Sequence, residues 1–126
     1  MNTAMTRRLF TAAALFNWVV ALGLFLIPGV FLGLFAVTPA PEQTLWTQQF
    51  AGLVFIFGIG YYQASKDLAT LAPVIRLAVW GKWGVVAIAA LNVLTGDISW
   101  QFLIPASADG VFAILFTLAL RSLPGK

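Results

Sequence analysis

The chain has 126 residues, of which 61% are hydrophobic and only 9% are charged. Soluble domains are closer to half apolar and a quarter charged, so these few charges could not cover a water-soluble globule. The composition therefore predicts an integral membrane protein, and the length fits a single domain over residues 1–126. The net charge of +3 does not indicate nucleic-acid binding, because the basic residues follow a membrane-topology pattern.

The sequence contains neither cysteine nor histidine. Iron–sulfur clusters, zinc sites of the usual kind and haem held through His or Cys all depend on these side chains. Dithiol–disulfide exchange also needs cysteine, which excludes the thiol-based membrane oxidoreductases. No metal site or protein-derived catalytic set is predicted, since Ser–His, Cys–His and paired-carboxylate constellations are missing. The sequence therefore favours a protein that is not an enzyme.

Four apolar segments are long enough to cross a bilayer, because about 30 Å of hydrocarbon takes roughly 20 helical residues. The predicted spans are residues 9–27, 45–62, 74–94 and 100–120. Proline, glycine and polar residues separate these apolar segments, notably Pro39, Ser65-Lys66-Asp67 with Pro73, and Gly96. The predicted fold class is an all-α bundle of four transmembrane helices.

A further apolar stretch, residues 30–37, lies between the first two spans and is too short to cross a membrane. Pro28-Gly29 precedes it and Thr38-Pro39 follows it. We predict a short helix in the outer interface, or an extension of the first helix that bends at Pro28.

The basic residues predict the orientation. If the chain threads alternately, one side collects six of the seven: Arg7, Arg8, Lys66, Arg76, Arg121 and Lys126. The links on the other side carry only the acidic Glu42 and Asp97. Because Lys and Arg concentrate in cytoplasmic loops, both termini are predicted to be cytoplasmic in a bacterial inner (plasma) membrane. Trp46 and Trp100 would then mark the outer interface, and Tyr61-Tyr62 the inner one.

Two charged residues fall inside the predicted spans, Lys82 in the third and Asp109 in the fourth. Each would cost about 2.5–3.5 kcal/mol if it were isolated at the bilayer centre. Lys82 is 96 − 82 = 14 residues before Gly96, and Asp109 is 109 − 96 = 13 residues after it. In antiparallel helices joined at that turn, the two residues differ in depth by roughly 1.5 Å. The sequence therefore predicts a buried ion pair.

Asn17 lies at a similar depth in the first span, nine residues beyond Arg8. An amide can hydrogen-bond to both members of an ion pair, so Asn17, Lys82 and Asp109 are predicted to form one buried polar cluster. Such a cluster has two interpretations. It fixes helix register and partner choice, or it forms a proton, substrate or headgroup site.

Several short motifs carry a resemblance to a known family. They are Asn17, Pro28, Trp46, Gly52, Gly58-Ile59-Gly60-Tyr61, Asp67, Gly81-Lys82, Asp109-Gly110-Val111-Phe112 and Phe116. With these residues, nearly the whole chain resembles the DoxX-like group of small four-helix bacterial membrane proteins. The resemblance implies a four-helix membrane bundle. Some members of that group are membrane subunits of quinone-dependent redox complexes, although this chain lacks a redox ligand of its own.

Three functions remain open at this point. The leading hypothesis is a non-catalytic accessory subunit or small-ligand-binding bundle, built around the Lys82–Asp109 pair and assembled as a homo-oligomer or in a larger membrane complex. The second is a small proton-coupled transporter that uses the same pair. The third is a quinone-linked oxidoreductase subunit, with quinone as its ligand. Apart from that quinone, no cofactor is predicted.

Overall fold

The computed structural model describes residues 1–124 and is helical, without a β-strand in that range. The elements are α1 (Thr3–Leu26), α2 (Pro28–Gly33), α3 (Leu45–Lys66), α4 (Leu68–Leu94), a 3-10 turn (Trp100–Phe102) and α5 (Leu103–Arg121). The prediction of an all-α protein is confirmed. Lys126, which was predicted to be cytoplasmic, lies outside the described residues.

Three of the described helical segments are long and apolar enough to cross a membrane: Thr3–Leu26, Leu68–Leu94 and Trp100–Arg121. Their outward faces are also apolar, with Val19, Leu77 and Val111 each more than half exposed. These faces would be costly in water and suit lipid, which indicates an integral membrane protein. Helix α3, with 22 residues, is as long as the segment Trp100–Arg121 but is not among the three, and it carries the polar Gln48, Gln49 and Gln63.

The predicted short helix after the first span is present as α2. Helix α1 ends at Leu26, and Pro28 occupies the first turn of α2. Proline suits this position, because its fixed φ matches the helix and its missing N–H needs no partner there. Helix α2 therefore begins two residues before the predicted apolar stretch. The structure favours a separate helix over a simple extension of α1.

The junction between α3 and α4 is shorter than the sequence predicted. Asp67 alone separates the helices, and its carboxylate accepts hydrogen bonds from the Thr70 backbone N (3.3 Å) and Oγ1 (2.7 Å). These bonds stabilise the ionised form and hold the pKa of Asp67 below its usual value. Because this cap starts α4 at Leu68, Pro73 lies inside the helix instead of in a break.

The main helix pairs are α1 with α3 and α4 with α5, and α3 also packs against α4. Gly58 allows a close approach between α1 and α3, since a Cβ there would lie 2.5 Å from Trp18 Nε1. The Trp18 indole also donates a hydrogen bond of 3.3 Å to the Phe55 carbonyl. Gly58 and Trp18 thus form a close contact between these two helices.

One end of the bundle, where α1 begins and α5 ends, is tightly packed. We call its buried residues the packed core: Phe10, Ala13, Ala14, Tyr61, Ala64, Leu68, Ala72, Ile75, Ala78, Phe116, Ala119 and Leu120. Half of them are alanines, which let the helices approach closely. The rings of Phe10 and Phe116 stack on each other, with their centroids 4.7 Å apart. The packed core supports the polar residues that lie next to it along the bundle.

Candidate functional site

The predicted ion pair is present. Lys82 Nζ on α4 lies 2.7 Å from Asp109 Oδ1 on α5, a distance that makes it both an ion pair and a hydrogen bond. The Lys82 side chain is 6% exposed and the Asp109 side chain 21% exposed. Two antiparallel helices with matched depths bring the charges together, as the helical rise predicted. Each charge compensates the other in a region that water reaches poorly.

Aromatic rings enclose the Lys82 ammonium. Its Nζ lies 5.3 Å from the ring centroid of Tyr61, 5.4 Å from Phe112, 5.7 Å from Phe16 and 5.8 Å from Phe116. These distances are within the range in which the π-face of a ring attracts a cation. The rings come from α1, α3 and α5, so all the neighbouring long helices help to hold the charge in place.

Trp80 and Trp83 flank Lys82 in sequence but are not among these rings. Side chains at i−2 and i+1 point away from a helical residue, which predicted that both would face lipid or a neighbouring subunit. Trp80 is 78% exposed and Trp83 40% exposed. The outward placement of Trp80 is therefore confirmed, whereas Trp83 also packs beside Gly110 of α5.

Asn17 is buried at 5% exposure and lies beside the ion pair, but it makes a different contact from the predicted one. Its Nδ2 donates a hydrogen bond of 3.0 Å to the Val54 carbonyl on α3. Among residues 1–124 no hydrogen bond joins Asn17 to Lys82 or Asp109. The amide instead links α1 to α3. Asn17 still faces the same interior space as the pair.

Tyr61 is the residue whose role the sequence did not reveal. It was predicted to mark the membrane interface together with Tyr62, yet it is only 2% exposed and Tyr62 is 43% exposed. The Tyr61 phenol is near enough to Asn17 and Asp109 to interact with both. Tyr61 belongs to the Gly58-Ile59-Gly60-Tyr61 motif that contributes to the family resemblance. No sequence pattern, however, indicated which of the two tyrosines faces the interior of the bundle.

A cavity of about 560 Å³ begins at the ion pair and extends away from the packed core. Four of its polar residues, including both charged ones, sit at one end, which we call the floor: Asn17, Tyr61, Lys82 and Asp109. The walls are mainly apolar and aromatic: Phe16, Val20, Leu24, Phe31, Leu32, Phe35, Trp46, Phe50, Leu53, Val54, Phe57, Ala78, Gly81, Val85, Phe102, Pro105 and Ala106, with Thr47. Ligand sites commonly combine such a volume, an apolar lining and a few convergent polar groups.

The floor residues are supplied by four helices and rest on the packed core. Tyr61 and Ala78 belong to both the packed core and the cavity lining. The packed core consequently lies on one side of the ion pair and the cavity on the other. An ion pair that only fixed the helix register would not require a cavity beside it.

Comparisons with protein-family models, with curated proteins and with solved structures find no match to this chain. The functional inference therefore depends on the geometry of the cavity and its floor.

Proposed function

We propose that this chain is a non-catalytic integral membrane protein that binds a small apolar ligand, alone or as an accessory subunit of a membrane complex. The observation that supports this function is the cavity of about 560 Å³ with the Lys82–Asp109 pair at its floor. The apolar walls suit the body of a ligand, and the floor suits one polar group. The volume lies within the range of about 300–1,000 Å³ that is typical of ligand pockets.

The proposal includes α3 as a fourth span, with both termini in the cytoplasm of a bacterial inner membrane. Helix α3 has 22 residues, which at 1.5 Å per residue is about 33 Å and enough to cross the hydrocarbon. It also pairs with α1, so its polar side chains need not all face lipid. The basic residues near the start of α1, the α3–α4 junction and the end of α5 support the orientation.

Cysteine labelling tests this topology, since the natural sequence has no cysteine. Glu42→Cys, before α3, and Ala69→Cys, in the first turn of α4, flank the helix on opposite sides, and both positions are exposed. In intact cells, a membrane-impermeant maleimide is expected to label Glu42→Cys and to leave Ala69→Cys unlabelled until the cells are opened. Equal labelling of both variants in intact cells would show that α3 does not span the membrane.

Ligand binding is tested by filling the cavity. Gly81 lines the cavity, and an added Cβ meets no atom within 4 Å. Leucine at Gly81 is therefore expected to occupy ligand space without a clash. Gly84 lies one turn further along α4 and does not line the cavity, and an added Cβ there also meets no atom within 4 Å, which makes Gly84→Leu the matched control.

Wild-type protein, Gly81→Leu and Gly84→Leu are purified in mild detergent, and the small molecules that copurify are identified by native mass spectrometry and lipid extraction. We expect the wild type and Gly84→Leu to carry the same apolar molecule and Gly81→Leu to lose most of it. Equal retention by all three proteins would contradict the proposal, as would a wild-type protein that carries nothing.

A quinone-linked subunit is the second candidate function. The aromatic walls of the cavity and the Lys82 ammonium at its floor could hold a quinone ring and one of its carbonyls. The resemblance to the DoxX-like group points the same way. The copurification experiment separates this candidate from the first, because a bound quinone has a characteristic mass and redox-sensitive absorbance.

A further inference from the structure

We infer that the cavity selects an uncharged single-chain amphiphile whose head both accepts and donates hydrogen bonds, such as a long-chain primary amide or alcohol. This inference rests on the proposed ligand-binding function and specifies the chemistry of the ligand. It follows from the hydrogen-bonding groups of the floor, from their charge balance and from the dimensions of the walls.

The floor offers both donors and an acceptor. Lys82 has three N–H groups, and within residues 1–124 only one hydrogen bond from Nζ is present, the one to Asp109 Oδ1. Asp109 Oδ2 accepts no hydrogen bond from the described side chains. Every fully buried side-chain N or O in this range has a partner, so Oδ2 keeps some accessible surface, and Asp109 lines the cavity. The Tyr61 hydroxyl adds a group that can donate or accept.

A head that matches this floor must carry complementary groups. An oxygen acceptor would receive an N–H from Lys82, and an N–H or O–H would be donated to Asp109 Oδ2. A ketone or a quinone supplies acceptors only and leaves the carboxylate oxygen without a donor. Because an unpaired polar group in an apolar cavity costs free energy, a head with both functions is favoured.

The charge of the floor is already balanced. Lys82 and Asp109 are 2.7 Å apart and carry opposite charges. The described residues that line the cavity include no other ionisable side chain that is charged at neutral pH. A permanently anionic or cationic head would therefore add one uncompensated charge to a poorly solvated site, which is strongly unfavourable. An uncharged head avoids this penalty.

The walls indicate one long alkyl chain. On α3, one helical face lines the cavity from Trp46 through Phe50, Val54 and Phe57 to Tyr61. These 61 − 46 = 15 residues extend about 22 Å along the helix. An apolar space of this length with a volume of about 560 Å³ fits a single extended chain better than a two-chain phospholipid.

Competition binding tests the head-group preference. Wild-type protein in neutral-detergent micelles is loaded with radiolabelled hexadecanamide. Unlabelled hexadecanamide is then compared with hexadecanesulfonate, hexadecyltrimethylammonium and the methyl ketone of the same chain length. We expect the amide to compete at least about tenfold better than either ion and several-fold better than the ketone. Equal or better competition by either ion, or by the ketone, would overturn the inference.

A tyrosine pair supplies the matched variants. Tyr61→Phe keeps the ring beside Lys82 and removes only the hydroxyl at the floor. Tyr62→Phe makes the same chemical change at the neighbouring, half-exposed position outside the cavity. We expect hexadecanamide to bind several-fold more weakly to Tyr61→Phe and normally to Tyr62→Phe. Unchanged binding to both variants would contradict the assignment of the head to the floor.

The inference and the proposed function can fail separately. If the wild type copurifies with an apolar molecule that Gly81→Leu loses, the cavity is a binding site. Failure of hexadecanamide to bind that same protein would then reject only the head-group assignment. If no apolar molecule copurifies with the wild type, or if Gly81→Leu retains it as the wild type does, the proposed function itself is wrong.

Discussion

Replacing Lys82 with methionine is expected to destabilise the bundle by about 3–5 kcal/mol, because Asp109 then remains charged and unpaired in a poorly solvated interior. Methionine keeps the length of the side chain and its contact with the surrounding rings. The loss therefore reports on the charge rather than on packing. Reversible unfolding in mixed micelles, followed by tryptophan fluorescence, measures the change in the free energy of unfolding.

The double variant Lys82→Met with Asp109→Leu removes both charges. Apolar replacements of a buried ion pair are often neutral or stabilising, so its stability is expected to return to within about 1 kcal/mol of the wild type. Lys66→Met is the control, since Lys66 is an exposed residue at the end of α3. If Lys82→Met were as stable as this control, the pair would contribute nothing to the fold. If the double variant were as unstable as Lys82→Met, the loss of stability would come from packing and not from the unpaired charge.

Replacing Phe116 with alanine is expected to cost about 4 kcal/mol. The side chain is fully buried in the packed core, and its ring centroid lies 4.7 Å from that of Phe10 and 5.0 Å from that of Tyr61. A cavity on the order of 100 Å³ at about 24 cal/mol per Å³ accounts for most of this cost. Lost ring–ring contacts, at about 0.5–1.5 kcal/mol each, account for the rest. The same unfolding measurement applies.

Ile114→Ala on the same helix is the matched control. Ile114 is 52% exposed and faces outward, so lipid can fill the space that the smaller side chain leaves. Its cost is expected to stay below about 1 kcal/mol. Similar losses for the two variants would contradict the distinction between a packed core and a lipid-facing surface.

The sequence predicted the features that depend on distance along one helix. Long apolar runs indicate membrane helices, because lipid offers backbone N–H and C=O groups no hydrogen-bond partner and a helix pairs these groups internally. Lys82 and Asp109 were paired correctly because a fixed rise per residue gives their depths on either side of a defined turn, Gly96, whose φ of +82° suits glycine. The start of α4 was predicted less well, since the Asp67 cap outweighed the break expected at Pro73.

Features that depend on helix rotation were not predictable in the same way. Tyr61 and Tyr62 are adjacent in sequence, but successive helical residues point about 100° apart. Only the contacts of α3 with its neighbours determine which tyrosine turns inward. Asn17 likewise found its partner on α3, because the pairing of α1 with α3 brings the Val54 carbonyl within reach.

The apolar helical character of the chain and the depth at which Lys82 and Asp109 meet follow from the order of the residues alone. The tertiary structure decided that the bundle is packed on one side of that pair and hollow on the other. Alanines such as Ala13 and Ala64 let the helices close together in the packed core. Bulky side chains line the space beyond Lys82, and whether such side chains fill a space or surround one depends on how the helices are placed relative to each other.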